Sequence, residues 1–127
     1  MSPRRLLLDT HVFLWWRIDD PHLGRPARDA IANAEMVAVS AASAWEAAIK
    51  TRLGRLRLPE PFSTGVAASG FAELPVRFAH AERAADLPRH HDDPFDRMLV
   101  AQAEIEGLTL VTHDPAIWQY EVAALRV

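Results

Sequence analysis

Apolar positions along this chain fall into two kinds of run. Short, nearly unbroken ones, "RLLLD" (5–9), "MVAVS" (36–40), "FAELPV" (71–76), "LTLVT" (108–112) and "VAALRV" (122–127), lack the polar alternation of a half-exposed strand. They predict five strands, the first two of them buried. Between them the spacing is helical: "THVFLWWRI" (10–18), stopped by Asp19, Asp20 and Pro21, then residues 25–34 with Pro26 in the first turn. Further helices are expected over 43–54, closed by Gly54, over 61–70, weakened by Gly65, over 77–87, and over 94–107, the strongest of all. A short helix is expected in "DPAIWQY". Pro75 predicts that the strand over 71–76 ends early or lies at an edge. Strands alternating with helices predict an α/β fold of three layers, αβα, with a central parallel sheet flanked by helices. In such sheets ligands gather beyond the carboxyl ends of the strands.

Composition narrows the class. A chain of 127 residues, half of them hydrophobic, fits a single domain spanning 1–127 with its own core, and no repeat interrupts it. Without cysteine, disulfides, thiolate chemistry and cysteine-based zinc sites are excluded. "MSPRRLLLDTHVFLWW" superficially suggests a signal peptide or a membrane span, but Asp9 and His11 break its apolar run. What remains falls well short of the roughly 20 residues a span needs, so the expectation is a buried strand in a cytoplasmic protein. The net charge of −3 does not exclude a nucleic-acid partner. If several acids are gathered around cations, the remaining surface is about neutral to slightly basic, carried almost entirely by arginine.

Four acids fall where the sheet rule puts a ligand. Asp9 ends the first strand, Glu46 lies in the first turn expected for the helix over 43–54, Asp96 lies in the first turn of the helix over 94–107, and Asp114 follows the fourth strand. Carboxylates brought together raise one another's pKa values, so a fold gathers them only where cations neutralise them or some stay protonated. Magnesium and manganese suit such oxygen ligands, and magnesium keeps waters that can become nucleophiles. An all-carboxylate site of this kind is suited to phosphodiester hydrolysis. Each acid also has a plain structural reading. Ser43 and Glu46 match a capping box, Asp93 before Pro94 matches an N-cap with Asp96 as its counterpart, and Asp114 before Pro115 matches another N-cap. Asp9 is hardest to explain this way, because an acid straight after three buried leucines costs desolvation.

The remaining polar and aromatic residues are secondary. His11, His80, His90, His91 and His113 could in principle hold zinc, but none forms H-E-x-x-H. His90 and His91, being adjacent, cannot easily both face one ion from an extended loop. In "HHDDPFDR" (90–97) the chemistry is therefore expected at Asp96. Asp93 and Pro94 start the helix, Phe95 anchors its first turn inward, and His90, His91 and Asp92 are loop residues. Arg97 is expected to meet either a phosphate or a surface acid. Thr10 and Thr112 flank the proposed ligands and either orient water or satisfy backbone. Trp15, Trp16, Trp45 and Trp118 are expected in the core or at a partner interface.

"LLLDTHVFLWW", "SAASAWEAAIKTRLGRLRLP", "HHDDPFDRMLVAQA" and "EGLTLVTHD" together resemble the PIN-domain ribonucleases, specifically the VapC toxins of bacterial toxin–antitoxin pairs. The resemblance runs over nearly the whole chain, in order and with the expected spacing. It implies a magnesium- or manganese-dependent endoribonuclease that cleaves RNA and is held inactive by a VapB-type antitoxin, as a homodimer or a toxin–antitoxin hetero-oligomer. The family's four acids fall on Asp9, Glu46, Asp96 and Asp114, with Asp9 and Asp96 as direct metal ligands and Glu46 and Asp114 completing the site or binding through water. One departure is visible: where the family often has threonine, asparagine and aspartate before its fourth site, this chain has Thr112, His113 and Asp114. Competing folds with an acid after a buried strand fit less well. A haloacid dehalogenase phosphatase needs a second aspartate where His11 stands, and a receiver domain needs a late lysine, whereas the sole lysine is Lys50. A non-catalytic metal-binding or partner-docking module is the alternative from a different class.

Overall fold

A computed structural model describes residues 4–127, so the first three positions of the expected 1–127 domain lie outside the described residues. Five strands form one sheet in the order β3-β2-β1-β4-β5, and every pairing is parallel. The strands are β1 (Arg5–Leu8), β2 (Met36–Ser40), β3 (Ala72–Leu74), β4 (Thr109–Thr112) and β5 (Ala124–Arg126). The helices are α1 (Thr10–Ile18), α2 (Arg25–Ala32), α3 (Ala41–Arg52), α4 (Phe62–Ala68), α5 (Phe78–Asp86) and α6 (Pro94–Glu106), with a 3-10 turn at Ile117–Gln119. The three-layer αβα architecture expected from the sequence is therefore present.

The strand period divides the core in two. Leu6 and Leu8 face one side of the sheet with Val12, Phe13, Leu23, Ile31, Val37 and Val39, drawn from α1, α2, β2 and the segment between the two helices. Leu7 faces the other side with Leu99, Val100, Ala103, Leu110, Ile117 and Tyr120. All three leucines are fully buried, and each such side chain stabilises the fold by about 1.5–3 kcal/mol. Two faces to fill is what an unbroken apolar strand requires. β3 lies at the sheet's edge and stops at Leu74, before Pro75, whose carbonyl accepts from the buried Gln102 amide at 3.2 Å.

Chain direction reverses at the centre of this sheet. From β1 the connections run outward through β2 to β3, then the chain returns to place β4 on the other side of β1. After β1 the chain enters α1 on one face; after β4 it enters the Ile117–Gln119 turn on the opposite face. The divergence leaves a crevice at the carboxyl ends of β1 and β4, the switch point where open α/β sheets bind ligands.

Two local features differ from the sequence reading in ways that shape the site and its surroundings. α3 begins at Ala41, with no loop after β2, because Ser40 is at once the last strand residue and the N-cap, its Oγ accepting from Ala42 N at 3.0 Å. Ser43 is therefore inside the helix with its hydroxyl buried and unpaired, so the expected Ser43–Glu46 capping box does not form and Glu46 falls in the second turn. The α3 end is as expected: Gly54, at φ 73°, turns the chain so that Arg55 N donates to Lys50 O at 2.9 Å. The second difference is Gly65, which serves close packing in α4: a Cβ there would come within 2.8 Å of Glu60 Oε1 and 3.1 Å of Arg17 Nε. Glycine leaves room for the Arg17–Glu60 pair that ties α1 to the segment before α4. Among the described residues no helix is long and apolar enough to cross a membrane.

Candidate metal centre

The switch-point crevice is a cleft of about 430 Å³ whose walls include Asp9, Glu46, Asp96 and Asp114, joined by Asp93, His91 and Lys50. Each acid is delivered by a different local device. Asp9 follows β1 directly and N-caps α1, its Oδ1 accepting from Val12 N at 2.8 Å and its Oδ2 from His113 N at 3.4 Å. Burial pushes its carboxyl up, while the donors from Val12, the Thr112 side chain and His113 pull it back down. The desolvation cost expected from its place after three leucines is thus real and only partly compensated.

Glu46 projects from the second turn of α3 and is buried. Its Oε1 accepts from the Thr10 hydroxyl at 2.5 Å and its Oε2 from Lys50 Nζ at 2.8 Å. Thr10 therefore orients a site carboxylate. Asp114 follows β4 and opens the 3-10 turn as an N-cap does, its Oδ1 accepting from Ala116 N at 2.9 Å. Thr112 Oγ1 accepts from Asp114 N at 3.1 Å, which fixes the turn between strand and acid.

Asp96 stands in the first turn of α6. The N-cap of that helix is Asp93, whose Oδ1 accepts from Phe95 N at 2.8 Å and Asp96 N at 3.1 Å, with Pro94 at the first helical position. Asp96 does not reach back to complete a capping box; its side chain turns into the cleft. Burial above all, then the neighbouring charges of Asp93, Glu46 and Asp9, opposed by His91, push its carboxyl up to about 7. A carboxyl held there by burial and by other carboxyls marks a cluster short of positive charge.

His91 is the residue the sequence reading missed. Expected as a loop residue, it instead reaches Asp96 Oδ2 at 2.9 Å and Asp114 Oδ2 at 2.8 Å with its Nε2. Its Nδ1 accepts from Asp93 N at 3.3 Å, which leaves Nε2 as the end that donates to the two acids. Partial burial works against protonation of the ring, but the Asp114 bond and the charges of Asp96, Asp114 and Asp93 outweigh it and raise its pKa. His91, Asp96 and Asp114 offer one ligand atom each, all within 4.8 Å of one another. Asp9 and Glu46 line the same cleft outside that trio. The reasoning that adjacent histidines cannot share an ion holds: His90 turns away, edge-on to Tyr120 with ring centroids 4.9 Å apart.

Two further expectations are corrected. Arg97 pairs with no acid among the described residues. Its guanidinium donates to the carbonyls of Ala84 at 2.8 Å, Leu87 at 2.9 Å and His91 at 3.2 Å, closing the orphan carbonyls at the end of α5 and holding the loop that carries His91. Phe95 does not point inward. It stands half-exposed against Trp45, edge to face at 5.4 Å, and Trp45 is itself 66% exposed. Of the tryptophans, Trp15 and Trp16 pack on the α1 side of the core, while Trp118 lies under the Arg126 guanidinium, 4.5 Å from its ring centre.

The donor set fits a hard divalent cation. Carboxylate oxygens from four segments, in a cleft where burial and neighbouring acids push one carboxyl up to about 7, are the conditions under which magnesium or manganese is held.

A parallel sheet in this order with acids gathered at its switch point defines a class that the sequence itself carries: the chain belongs to the PIN domain family, whose pattern matches residues 6–125. Within that family it is 33% identical over 112 residues to Ribonuclease VapC22 of Mycobacterium tuberculosis, a match covering 86% of each chain. Among solved structures, it is similar in fold to VapBC2 of Rickettsia felis bound to a DNA fragment from its promoter, with a TM-score of 0.70 at 13% identity over 95% of this chain and 97% of that one. It is also similar in fold to Mycobacterium tuberculosis VapC20, a toxin that cleaves the sarcin–ricin loop, with a TM-score of 0.59 at 17% identity over 96% of this chain and 99% of that one.

Proposed function

We propose that this chain, as a single PIN-like domain over 1–127, is a magnesium- or manganese-dependent endoribonuclease and the toxin of a toxin–antitoxin pair. The observation that carries the reading is the convergence of Asp9, Glu46, Asp96 and Asp114, from four separate segments, on one cleft at the carboxyl ends of β1 and β4. Identity to a relative named a ribonuclease supports the reaction class, and solved relatives described as toxin–antitoxin complexes support a VapB-type antitoxin as partner. We place the protein in the cytoplasm, where RNA and such an antitoxin are found.

In this reading Asp9 and Asp96 hold the cation directly, and Glu46 and Asp114 complete the site or act through water. When bound, the ion supplies charge that offsets the phosphate and makes water more acidic. The chain's own residues do the rest. The α1 N-terminus fixes Asp9, the Thr10 hydroxyl fixes Glu46, and His91 ties Asp96 to Asp114, so the carboxylates are held before ligand arrives. Purified protein that cleaves RNA with manganese and stops on addition of a chelator supports this function. Cleavage indifferent to chelator would contradict it.

A further inference from the structure

Five carboxylates line the cleft, Asp9, Glu46, Asp93, Asp96 and Asp114, and Lys50 is the one Lys or Arg side chain among the described residues lining it. It is also the only lysine in the chain. Nearby arginines are committed elsewhere: Arg17 to Glu60, and Arg97 to backbone carbonyls of the α5 end. A polyanion entering this cleft therefore meets a single permanent positive charge supplied by the protein.

That charge is held by a contact that a cation would disturb. Lys50 stands one helical turn after Glu46, with Nζ 2.8 Å from Oε2. The two ends differ in freedom. The Glu46 side chain is 6% exposed and pinned at its other oxygen by Thr10, whereas the Lys50 side chain is 33% exposed on a flexible stem of four carbons. A divalent cation at Glu46 takes over the charge that Lys50 now neutralises and repels the ammonium, and of the pair it is the ammonium that can move.

We propose that Lys50 is a substrate-binding residue released by the metal: it neutralises Glu46 in the empty site, and when a divalent cation occupies the cleft it swings to the mouth and contacts an RNA phosphate. The inference rests on the nuclease reading above and names a residue for its substrate. Two consequences follow with opposite sign. Without RNA, Lys50 competes with the cation, so removing it tightens metal binding. With metal present, Lys50 contributes to RNA binding, so removing it weakens that. By linkage, metal and RNA each strengthen binding of the other through this side chain.

The test is a two-by-two comparison of wild type and Lys50→Met, with Lys50→Gln as a second variant of different shape. Titration calorimetry with Mn2+ on the RNA-free protein reads the first consequence; Lys50→Met is expected to bind Mn2+ about threefold or more tightly than wild type. Anisotropy of a labelled single-stranded oligoribonucleotide, shown intact on a denaturing gel, reads the second. In Mn2+ the variant is expected to bind more weakly, with the slope of log affinity against log salt reduced by about 0.7, the value for one phosphate contact on a single strand. Without Mn2+ the two proteins are expected to bind the probe alike. Unchanged or weaker Mn2+ binding by both variants, or an unchanged salt slope, overturns the proposal while leaving the nuclease reading intact. Wild-type protein that binds neither Mn2+ nor the oligoribonucleotide overturns both.

Discussion

His91 Nε2 lies 2.8 Å from Asp114 Oδ2, joining the loop before α6 to an acid two residues past β4. The same nitrogen is 2.9 Å from Asp96 Oδ2, so one imidazole sets the spacing of two acids from different segments. Its backbone is held as well, His91 N donating to Tyr120 Oη at 3.0 Å and His91 O accepting from Arg97. Groups that orient metal ligands in this way are typically worth about 10- to 100-fold in metal affinity. His91→Ala is therefore expected to weaken Mn2+ binding by roughly that factor, measured by titration calorimetry, with a circular dichroism spectrum like that of wild type.

Asp96 is expected to make the metal-free protein sensitive to alkali. Its folded carboxyl is pushed up to about 7 from an ordinary 3.8, so the unfolded chain gives up its proton more readily than the folded one. The stability this group contributes is complete below its ordinary value and is lost as pH rises through about 7. Burial shifts Asp9 in the same direction. In thermal melts without metal, the wild type is expected to lose stability relative to Asp96→Asn as pH rises from about 4 to above 7. Added Mn2+ should restore the wild type at the alkaline end and leave the variant little changed.

Arg97 is expected to matter for stability out of proportion to its position near the surface. Truncation to Ala leaves the carbonyls of Ala84 and Leu87 without their charged donor and frees the loop carrying His91. Hydrogen bonds from a charged group contribute about 1.5–3 kcal/mol each, so Arg97→Ala should cost on the order of 3 kcal/mol in urea denaturation. Arg97→Lys should recover little of it, because one ammonium cannot span carbonyls that a planar guanidinium reaches together.

What the sequence reveals follows from how local the cause is. β1, β2 and β4 are legible because strands buried on both faces need unbroken apolar runs, and α6 is legible because Asp93, Pro94 and Gly107 mark its ends. The start of α3 is not, since Ser40 and Ser43 both look like caps and only the absence of a loop after β2 decides between them. The four acids are legible as positions at one edge of a sheet. His91 is not, because its place depends on Tyr120 and Arg97, which fold the loop back over the acids. Arg97 is not legible for a related reason: its partners are backbone carbonyls at the end of α5, which carry no signature in residue type. Phe95 reads as an inward anchor by its apolar character, yet its neighbour is the exposed Trp45.

The central claim is that carboxylates of this cleft hold the cation with which the protein cleaves RNA. The most direct measurement is the rate of RNA cleavage in Mn2+ by wild type, Asp9→Asn and Asp96→Asn, each confirmed folded by its melting transition. Asparagine keeps the shape of each side chain and removes its charge. Metal-dependent cleavage by the wild type is expected, with a loss of about 100-fold or more in both variants, comparable to removing a principal electrostatic contributor to catalysis. Wild-type rates in either folded variant would contradict it.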